Sequence, residues 1–201
     1  MLLANKFVYI HIPKTAGTSI QKALVPFVNK KERGIRKHRD LGYTDHVRAS
    51  HVKETNKRFT FTFVRNPWEW AQSLYHYSIQ YGTGRSWGTQ IRRYKKMGLG
   101  RWVDGELETW IRANTKWHSP NNIYQQSTWI SPNVDFVGKF ENLQADFKYV
   151  CDHLGLKATL PHDMKSKHPH YSVEYTPEAI AKIEELFPKD IAKYKYKFET
   201  L

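Results

Sequence analysis

The sequence has 201 residues, 40% of them hydrophobic and 14% aromatic, which excludes a disordered chain and suits a single domain over residues 1–201. Its 32 basic and 19 acidic residues give a net charge of +13, which favours an anionic partner such as nucleic acid, an acidic polymer or a phosphorylated small molecule. No apolar run approaches the ~20 residues of a bilayer span, and we expect neither a transmembrane segment nor a signal peptide.

The first half of the chain predicts two strands, each followed by a helix. Residues 6–12 are β-branched and aromatic and predict a buried strand. Apolar residues at helical spacing then predict a helix over residues 17–28. Residues 58–64 (RFTFTFV) predict the second strand. Pro67 suits the first position of an aromatic helix that continues over residues 68–81.

The next part of the chain predicts a third strand and its helix. Residues 82–122 mix glycine, tryptophan and basic residues irregularly, and we expect a helix there chiefly over residues 105–113. Residues 134–140 (VDFVGKF) predict a strand. Residues 141–154 predict a helix that Gly155 closes.

The single cysteine, Cys151, lies within that last predicted helix. One cysteine excludes an internal disulfide framework and favours a reducing compartment, so we expect a cytoplasmic protein. The amphipathic pattern around Cys151 predicts an inert, packed thiol.

The C-terminal part predicts a final helix after a Lys/His-rich loop over residues 156–175. Thr176 suits the N-cap and Pro177 the first helical position. The residues predicted to form the buried face are Ile180, Ile183, Leu186 and Phe187. Strands that alternate with helices predict an α/β architecture with a mostly parallel sheet.

The segment IHIPKTAGTSI joins the first strand to the first helix. Ligands of parallel α/β sheets bind beyond the carboxyl ends of strands, where helix N-termini offer free N–H groups. Residues 13–19 add small residues, hydroxyl groups and the charge of Lys14, which together suit a phosphate or sulfate group. A Walker A loop places its lysine late, whereas Lys14 comes first. The alternative is an ordinary strand–turn–helix joint capped by a threonine or serine.

The second strand ends at a similar point. Arg65 follows the strand, and its planar guanidinium suits a phosphate. Ser73, two turns into the next helix, adds a hydroxyl group. The alternatives are a salt bridge for Arg65 and helix packing for Ser73.

Together the two segments resemble the sulfotransferase family that uses 3′-phosphoadenosine 5′-phosphosulfate (PAPS). HIPKTAGTSI is similar to its 5′-phosphosulfate loop, and FVRNPWEWAQSLYHY to its 3′-phosphate segment. WISPNVDFVGKFENLQADFKYVCDHLGL resembles the family's later strand and helix. HPHYSVEYTPEAIAKIEELFPKDIAKYKYKF resembles the C-terminal pattern of the carbohydrate (membrane-type) branch and its soluble bacterial or viral relatives. The resemblance implies a P-loop-like, three-layer α/β/α fold with a mostly parallel central sheet.

The resemblance also implies PAPS as the sulfate donor, PAP as the product and no metal. The residues implied to bind the donor are Lys14, Thr15, Ala16, Gly17, Thr18, Ser19, Arg65 and Ser73, with Lys165, Ser166 and Lys167 in a loop that closes over it. A solvated basic loop is an equal alternative for the last three residues. Lys14 is implied to stabilise the leaving oxygen during in-line displacement.

A histidine general base is expected to accept the proton of the acceptor hydroxyl. The SHVKE stretch resembles a family element that carries this base, which favours His51 over His46. Glu54 is the fallback base. Surface histidines in a basic loop are the alternative, and His11 is expected to be a packed core histidine.

The acceptor is predicted to be a carbohydrate hydroxyl, on an acidic glycan. Aromatic rings stack on sugars, and basic side chains attract acidic ones. The aromatic residues in the relevant stretch are Tyr81, Trp87, Tyr94, Trp102, Trp110 and Trp117. His118 and Gln126 are further substrate candidates from the resemblance, and packing or capping roles are an equal alternative for both. The alternative is that several of the tryptophans fill the core.

Two other functions remain open from the residues. A P-loop kinase or NTPase would account for the first loop but lacks a convincing Walker A motif and a metal-holding aspartate. A nucleic-acid-binding protein would account for the charge but not for Lys14, Arg65 and Ser73 at strand ends. His168 and His170 lack a clear third ligand, so no metal site is predicted.

Overall fold

The computed structural model describes residues 2–4, 6–28, 58–81, 87–114, 125–161 and 168–200. The chain divides into two compact units, Met1–Arg65 with Gln126–Lys165 and Asn66–Gln125 with Ser166–Leu201. The sheet belongs to the first unit, whereas the second unit is helical. The assignment of residues 1–201 to one domain stays a prediction.

The sheet has four described strands: β1 (Leu2–Leu3), β2 (Phe7–Ile10), β3 (Phe59–Val64) and β4 (Phe136–Lys139). Their order is β1-β2-β3-β4, with β2, β3 and β4 parallel and β1 antiparallel to β2. Tyr9 pairs with Phe61, and Phe61 pairs with Phe136. The α/β class and the three predicted strands are therefore confirmed, whereas the two-residue β1 was not predicted.

Seven α-helices are described: α1 (Gly17–Leu24), α2 (Pro67–Tyr81), α3 (Trp87–Gly105), α4 (Leu107–Asn114), α5 (Leu143–Leu154), α6 (Pro177–Leu186) and α7 (Pro188–Tyr194). None of them combines the length and hydropathy that a membrane-spanning helix requires. The first helix is shorter than predicted, because the chain tightens into a 3₁₀ turn over Val25–Phe27 that contains Pro26. Gly155 closes α5 in the left-handed conformation, as predicted.

Aromatic side chains from the sheet and apolar residues of α1 and α5 form the core of the first unit. Its largest members are Phe7, Tyr9, Phe61, Phe63, Ile20, Leu24 and Phe147. Gly138 of β4 fits this core because a Cβ there would lie 2.5 Å from the ring of Phe63. Cys151 is buried in the same cluster, which confirms its predicted packing role.

The second unit contains a helix that the sequence did not predict. Residues 87–105 were expected to be irregular, yet they form α3, with a kink at Gly98 (φ 76°). Tyr94, Leu99 and Trp102 of α3 are buried. Burial of this apolar stripe outweighs the low helix propensity of the glycines.

Both C-terminal helices begin at a proline. Thr176 caps α6 by accepting a hydrogen bond from the Ala179 N–H at 3.3 Å, as predicted. The helix ends at Leu186, and Pro188 begins α7, which was not predicted. The Gln125 side-chain carbonyl accepts hydrogen bonds from the N–H groups of Lys189 and Asp190, at 3.1 Å each.

Candidate functional site

The loop between β2 and α1 holds two residues other than glycine in the left-handed region: Lys14 (φ 65°) and Ala16 (φ 64°). This conformation costs residues with a Cβ roughly 1–2 kcal/mol each, and it concentrates at functional sites. Thr15, between them, is fully buried and donates its hydroxyl hydrogen to the Ile12 carbonyl at 2.9 Å. The Thr15 hydroxyl therefore holds the shape of the loop.

The N-terminus of α1 is arranged to receive an anion. The first-turn N–H groups of Gly17, Thr18 and Ser19 are those that an α-helix leaves without an intrahelical acceptor. No side chain caps this end, and the first turn contains no acidic residue. The positive end of the helix dipole therefore faces the loop that carries Lys14.

His11 lies directly under this turn. Its ring packs so closely on Gly17 that a Cβ at Gly17 would lie 1.7 Å from His11 Nε2. The His11 ring also stacks on that of Tyr9, with 6.0 Å between ring centroids. His11 is only 8% exposed, which confirms the expected packed histidine. Gly17 is thus required for close approach.

Arg65 brings a second cation to the same edge of the sheet. It follows β3 directly and is 5% exposed. Its Nη1 donates a hydrogen bond to the Lys14 carbonyl at 3.2 Å. Its guanidinium carbon lies 3.9 Å from the ring centroid of Phe140, the residue after β4, in a cation–π contact. The ends of three parallel strands therefore meet around Arg65.

The charge of Arg65 acts on Lys14. Burial, and after it the charge of Arg65, lowers the pKa of Lys14 to about 8. Both causes disfavour the ammonium form, and the negative charge of a bound anion would offset them. A desolvated lysine beside an arginine at a helix N-terminus is an arrangement suited to a multiply charged anion.

A model of the sulfotransferase family matches residues 3–197 of the chain. The chain belongs to the sulfotransferase family. Comparisons with curated proteins and with solved structures found no match. Membership establishes sulfuryl transfer as the general reaction, and the parallel sheet is consistent with the three-layer α/β/α fold of such an enzyme.

In the sulfotransferase, Gln126 supports Arg65. The Gln126 side-chain carbonyl accepts a hydrogen bond from the Arg65 N–H at 2.8 Å, and its NH₂ donates to the Arg65 carbonyl at 2.7 Å. The sequence assigned Gln126 to the acceptor, and that assignment stays a prediction. The position of Gln126, 61 residues after Arg65, gave no sequence signal for this pairing.

Ser73 belongs to the second unit of the sulfotransferase. It lies on α2 and is buried. One residue earlier, Gln72 donates to Glu174, and one turn later His76 lies 3.1 Å from Glu174. These contacts fix α2 on both sides of Ser73, whose role at the 3′-phosphate stays a prediction.

The basic residues of α3 are exposed. They are Arg92, Arg93, Lys95 and Lys96 before the kink at Gly98, and Arg101 after it. Tyr94 and Trp102 pack inside the second unit instead, which confirms the alternative that some of these aromatics fill the core. Trp87 begins α3, and its side chain lies outside what the structure describes.

Several predicted residues of the sulfotransferase lie outside the described ranges: His46, His51, Glu54, His118, Lys165, Ser166 and Lys167. Across the described ranges, no group of three or more His, Cys, Asp or Glu side chains is placed to hold a metal ion. The ring of His168 stacks on that of His76, with 4.7 Å between centroids. His170 Nδ1 accepts a hydrogen bond from the Ser172 N–H at 3.3 Å.

Phe140 was not predicted to be a member of this site. Phe140 directly follows β4, so its place after a parallel strand was a usable signal. The prediction instead assigned it to the strand itself. The shape-holding hydroxyl of Thr15 was also missed, because short sequence patterns do not separate ligand donors from loop-closing donors.

Proposed function

We propose that this sulfotransferase transfers a sulfuryl group from PAPS to a hydroxyl group of an acidic carbohydrate. One observation carries the proposal: Arg65 Nη1 lies 3.2 Å from the Lys14 carbonyl, so two cations stand at the carboxyl ends of neighbouring strands. PAPS presents two anionic groups, a 5′-phosphosulfate and a 3′-phosphate. In this proposal Lys14 binds the 5′-phosphosulfate and Arg65 binds the 3′-phosphate.

The loop and the helix end supply the remaining requirements of such a donor. The uncapped first turn of α1 offers N–H groups to the 5′-phosphosulfate. The bond from the Thr15 hydroxyl to the Ile12 carbonyl holds the strained loop in shape before the ligand arrives, which lowers the entropic cost of binding. The depressed pKa of Lys14 rises again when an anion binds beside it.

Bound PAPS supplies the activated sulfuryl group. Lys14 donates a hydrogen bond to the oxygen on which negative charge develops as the sulfur–oxygen bond breaks. Arg65 and Ser73 hold the 3′-phosphate and so orient the donor for in-line attack by the acceptor hydroxyl. His51 removes the hydroxyl proton, with His46 and Glu54 as the successive alternatives.

The exposed basic residues of α3 support an acidic carbohydrate as the acceptor. Its arginine and lysine side chains, which include Arg92 and Lys96, attract an acidic glycan and raise the rate of encounter at low salt. Trp87, His118 and Gln126 are the residues proposed to touch the acceptor.

Transfer of radiolabelled sulfate from PAPS tests the proposal. The acceptors are a desulfated glycosaminoglycan, a neutral oligosaccharide and a simple phenol, with Lys14→Met as the inactive control. We expect label on the glycosaminoglycan, reduced by high salt. Label on the phenol alone would contradict a carbohydrate acceptor. No label on any acceptor would contradict PAPS as the sulfate donor.

A further inference from the structure

Gln126 continues the hydrogen bonding of β3 beyond the end of the strand. The ladder between β3 and β4 ends where Val64 pairs with Lys139. Arg65 is the next residue, and its N–H and carbonyl bond to the side-chain amide of Gln126 at 2.8 and 2.7 Å. A side-chain amide presents the same donor and acceptor pair as a peptide group. Gln126 therefore takes the place of a neighbouring strand at this residue.

The contact is buried and specific to the amide. Gln126 is 3% exposed and Arg65 is 5% exposed. A glutamate would lack the donor when ionised, and a methionine would lack both groups. Loss of a buried partner leaves a backbone group unsatisfied, which costs about 1–3 kcal/mol in proteins. Of these three side chains, only that of glutamine makes both bonds.

The Arg65 side chain depends on where its backbone is held. Its guanidinium reaches the Lys14 carbonyl on one side and lies over the Phe140 ring on the other. Both contacts start from a Cα whose N–H and carbonyl are fixed by Gln126. A long side chain with several rotatable bonds binds an anion better when its origin and stem are fixed.

We propose that Gln126 is a positioning residue for the sulfate donor, which it serves by fixing Arg65. The inference rests on the proposed function, in which Arg65 binds the 3′-phosphate of PAPS. Gln126 does not itself touch the donor in this account. Its substitution lowers donor affinity only while the Arg65 side chain is present.

The adjacent Gln125 provides a matched control. Gln125 is also buried, and its amide also bonds to backbone groups: it accepts from Lys189 and Asp190 and donates to Leu186 at 2.7 Å. These partners belong to the start of α7 and the end of α6. Gln125→Met therefore removes comparable hydrogen bonds without touching the Arg65 backbone.

The test is a double-substitution cycle on the full chain, with the Kd of PAP measured by calorimetry. We expect Gln126→Met to raise the Kd of PAP roughly tenfold, because Arg65 must then be ordered at the expense of binding energy when the ligand binds. In the Arg65→Ala background the same substitution is expected to change the Kd by less than about twofold, because the side chain it positions is gone. Gln125→Met is expected to lower the Tm and leave the Kd within about twofold.

Two results separate this inference from the proposed function. Absence of PAP binding by the unsubstituted protein would overturn the proposed function and the inference with it. Normal PAP binding by Gln126→Met, or an equal loss with and without the Arg65 side chain, would overturn the inference alone. If Gln126→Met does not fold, Gln126→Asn, which keeps both groups but is one methylene shorter, takes its place under the same criteria.

Discussion

Lys14 is the residue at which stability and the proposed function oppose each other. Its backbone is left-handed, and its ammonium group is desolvated beside Arg65. Its pKa of about 8 lies below the 10.5 of an unperturbed lysine, so the unfolded chain holds this proton more firmly than the folded one. The contribution of Lys14 to the free energy of unfolding therefore rises as the pH increases from 8 to 10.5 and is lowest below that window.

Lys14→Met tests this opposition. Methionine keeps a similar length and the same backbone cost but removes the buried charge. We expect the free energy of unfolding at pH 7 to increase by on the order of 1–2 kcal/mol, while sulfate transfer is lost. Urea unfolding at pH 7 and pH 10 measures the effect, and the increase should shrink at the higher pH. Lys6→Met, at an exposed site, is the control. A destabilised Lys14→Met protein would contradict the account.

The general base is also tested by substitution of single residues. His51→Ala is expected to abolish transfer and leave the Kd of PAP unchanged, because the base acts on the acceptor and not on the donor. His46→Ala is the matched control, and it should retain activity. Transfer at the normal rate by His51→Ala would move the assignment to His46 or Glu54.

At the scale of elements, the decisive joint is the turn from β2 into α1. The ring of His11 occupies the space where Gly17 would carry a Cβ, and Tyr9 orders that ring. The packing of His11 on Gly17 therefore fixes the distance between β2 and the N-terminus of α1. An anion bound to the first-turn N–H groups depends on that position.

Gly17→Ala is expected to displace the turn. The added Cβ would meet His11 Nε2 at 1.7 Å, and overpacking of this kind costs roughly 1–3 kcal/mol. We expect a lower Tm and a PAP affinity reduced by at least tenfold. Gly105→Ala, at the end of α3 where a Cβ meets nothing within 4 Å, should leave both quantities nearly unchanged. His11→Ala in the Gly17→Ala protein should recover part of the PAP affinity. Equal behaviour of the two alanine variants would refute the role of this packing.

The elements were predictable where local pattern and packing agree. Residues 58–64 alternate and are bounded by charged residues, and β3 forms there. Thr176 and Pro177 predicted the start of α6. In contrast, α3 contains several glycines, and only the burial of Tyr94 and Trp102 by the second unit makes that segment helical.

At the scale of the whole molecule, the candidate site is assembled from distant parts of the chain. Lys14 and Arg65 were predictable singly, because each follows a strand and carries a charge suited to an anion. Their mutual contact and the bonds from Gln126 span 51 and 61 residues. No local pattern encodes such separations, because the parallel sheet creates them through its strand order.

The net charge of +13 favours anions in general, so it does not separate a sulfate donor from a nucleotide or a nucleic acid. The feature that distinguishes these ligands is the pair of cations, Lys14 and Arg65, at the strand ends. In the proposed binding mode, a ligand with both a 5′-phosphate and a 3′-phosphate engages Lys14 and Arg65 together, whereas ATP lacks the 3′-phosphate. PAP is therefore the most discriminating ligand for this protein.

The most direct test is thermal unfolding of the full chain with PAP, with ATP and Mg²⁺, and with single-stranded DNA, each compared with the ligand-free protein and with Arg65→Ala. PAP at ~100 times its Kd is predicted to add about 2.7 kcal/mol to the free energy of unfolding. That addition corresponds to a rise in Tm of roughly 5–10 °C for a chain of this size, and Arg65→Ala should lose most of it. Stabilisation by ATP and Mg²⁺ with no shift from PAP would contradict PAPS as the sulfate donor.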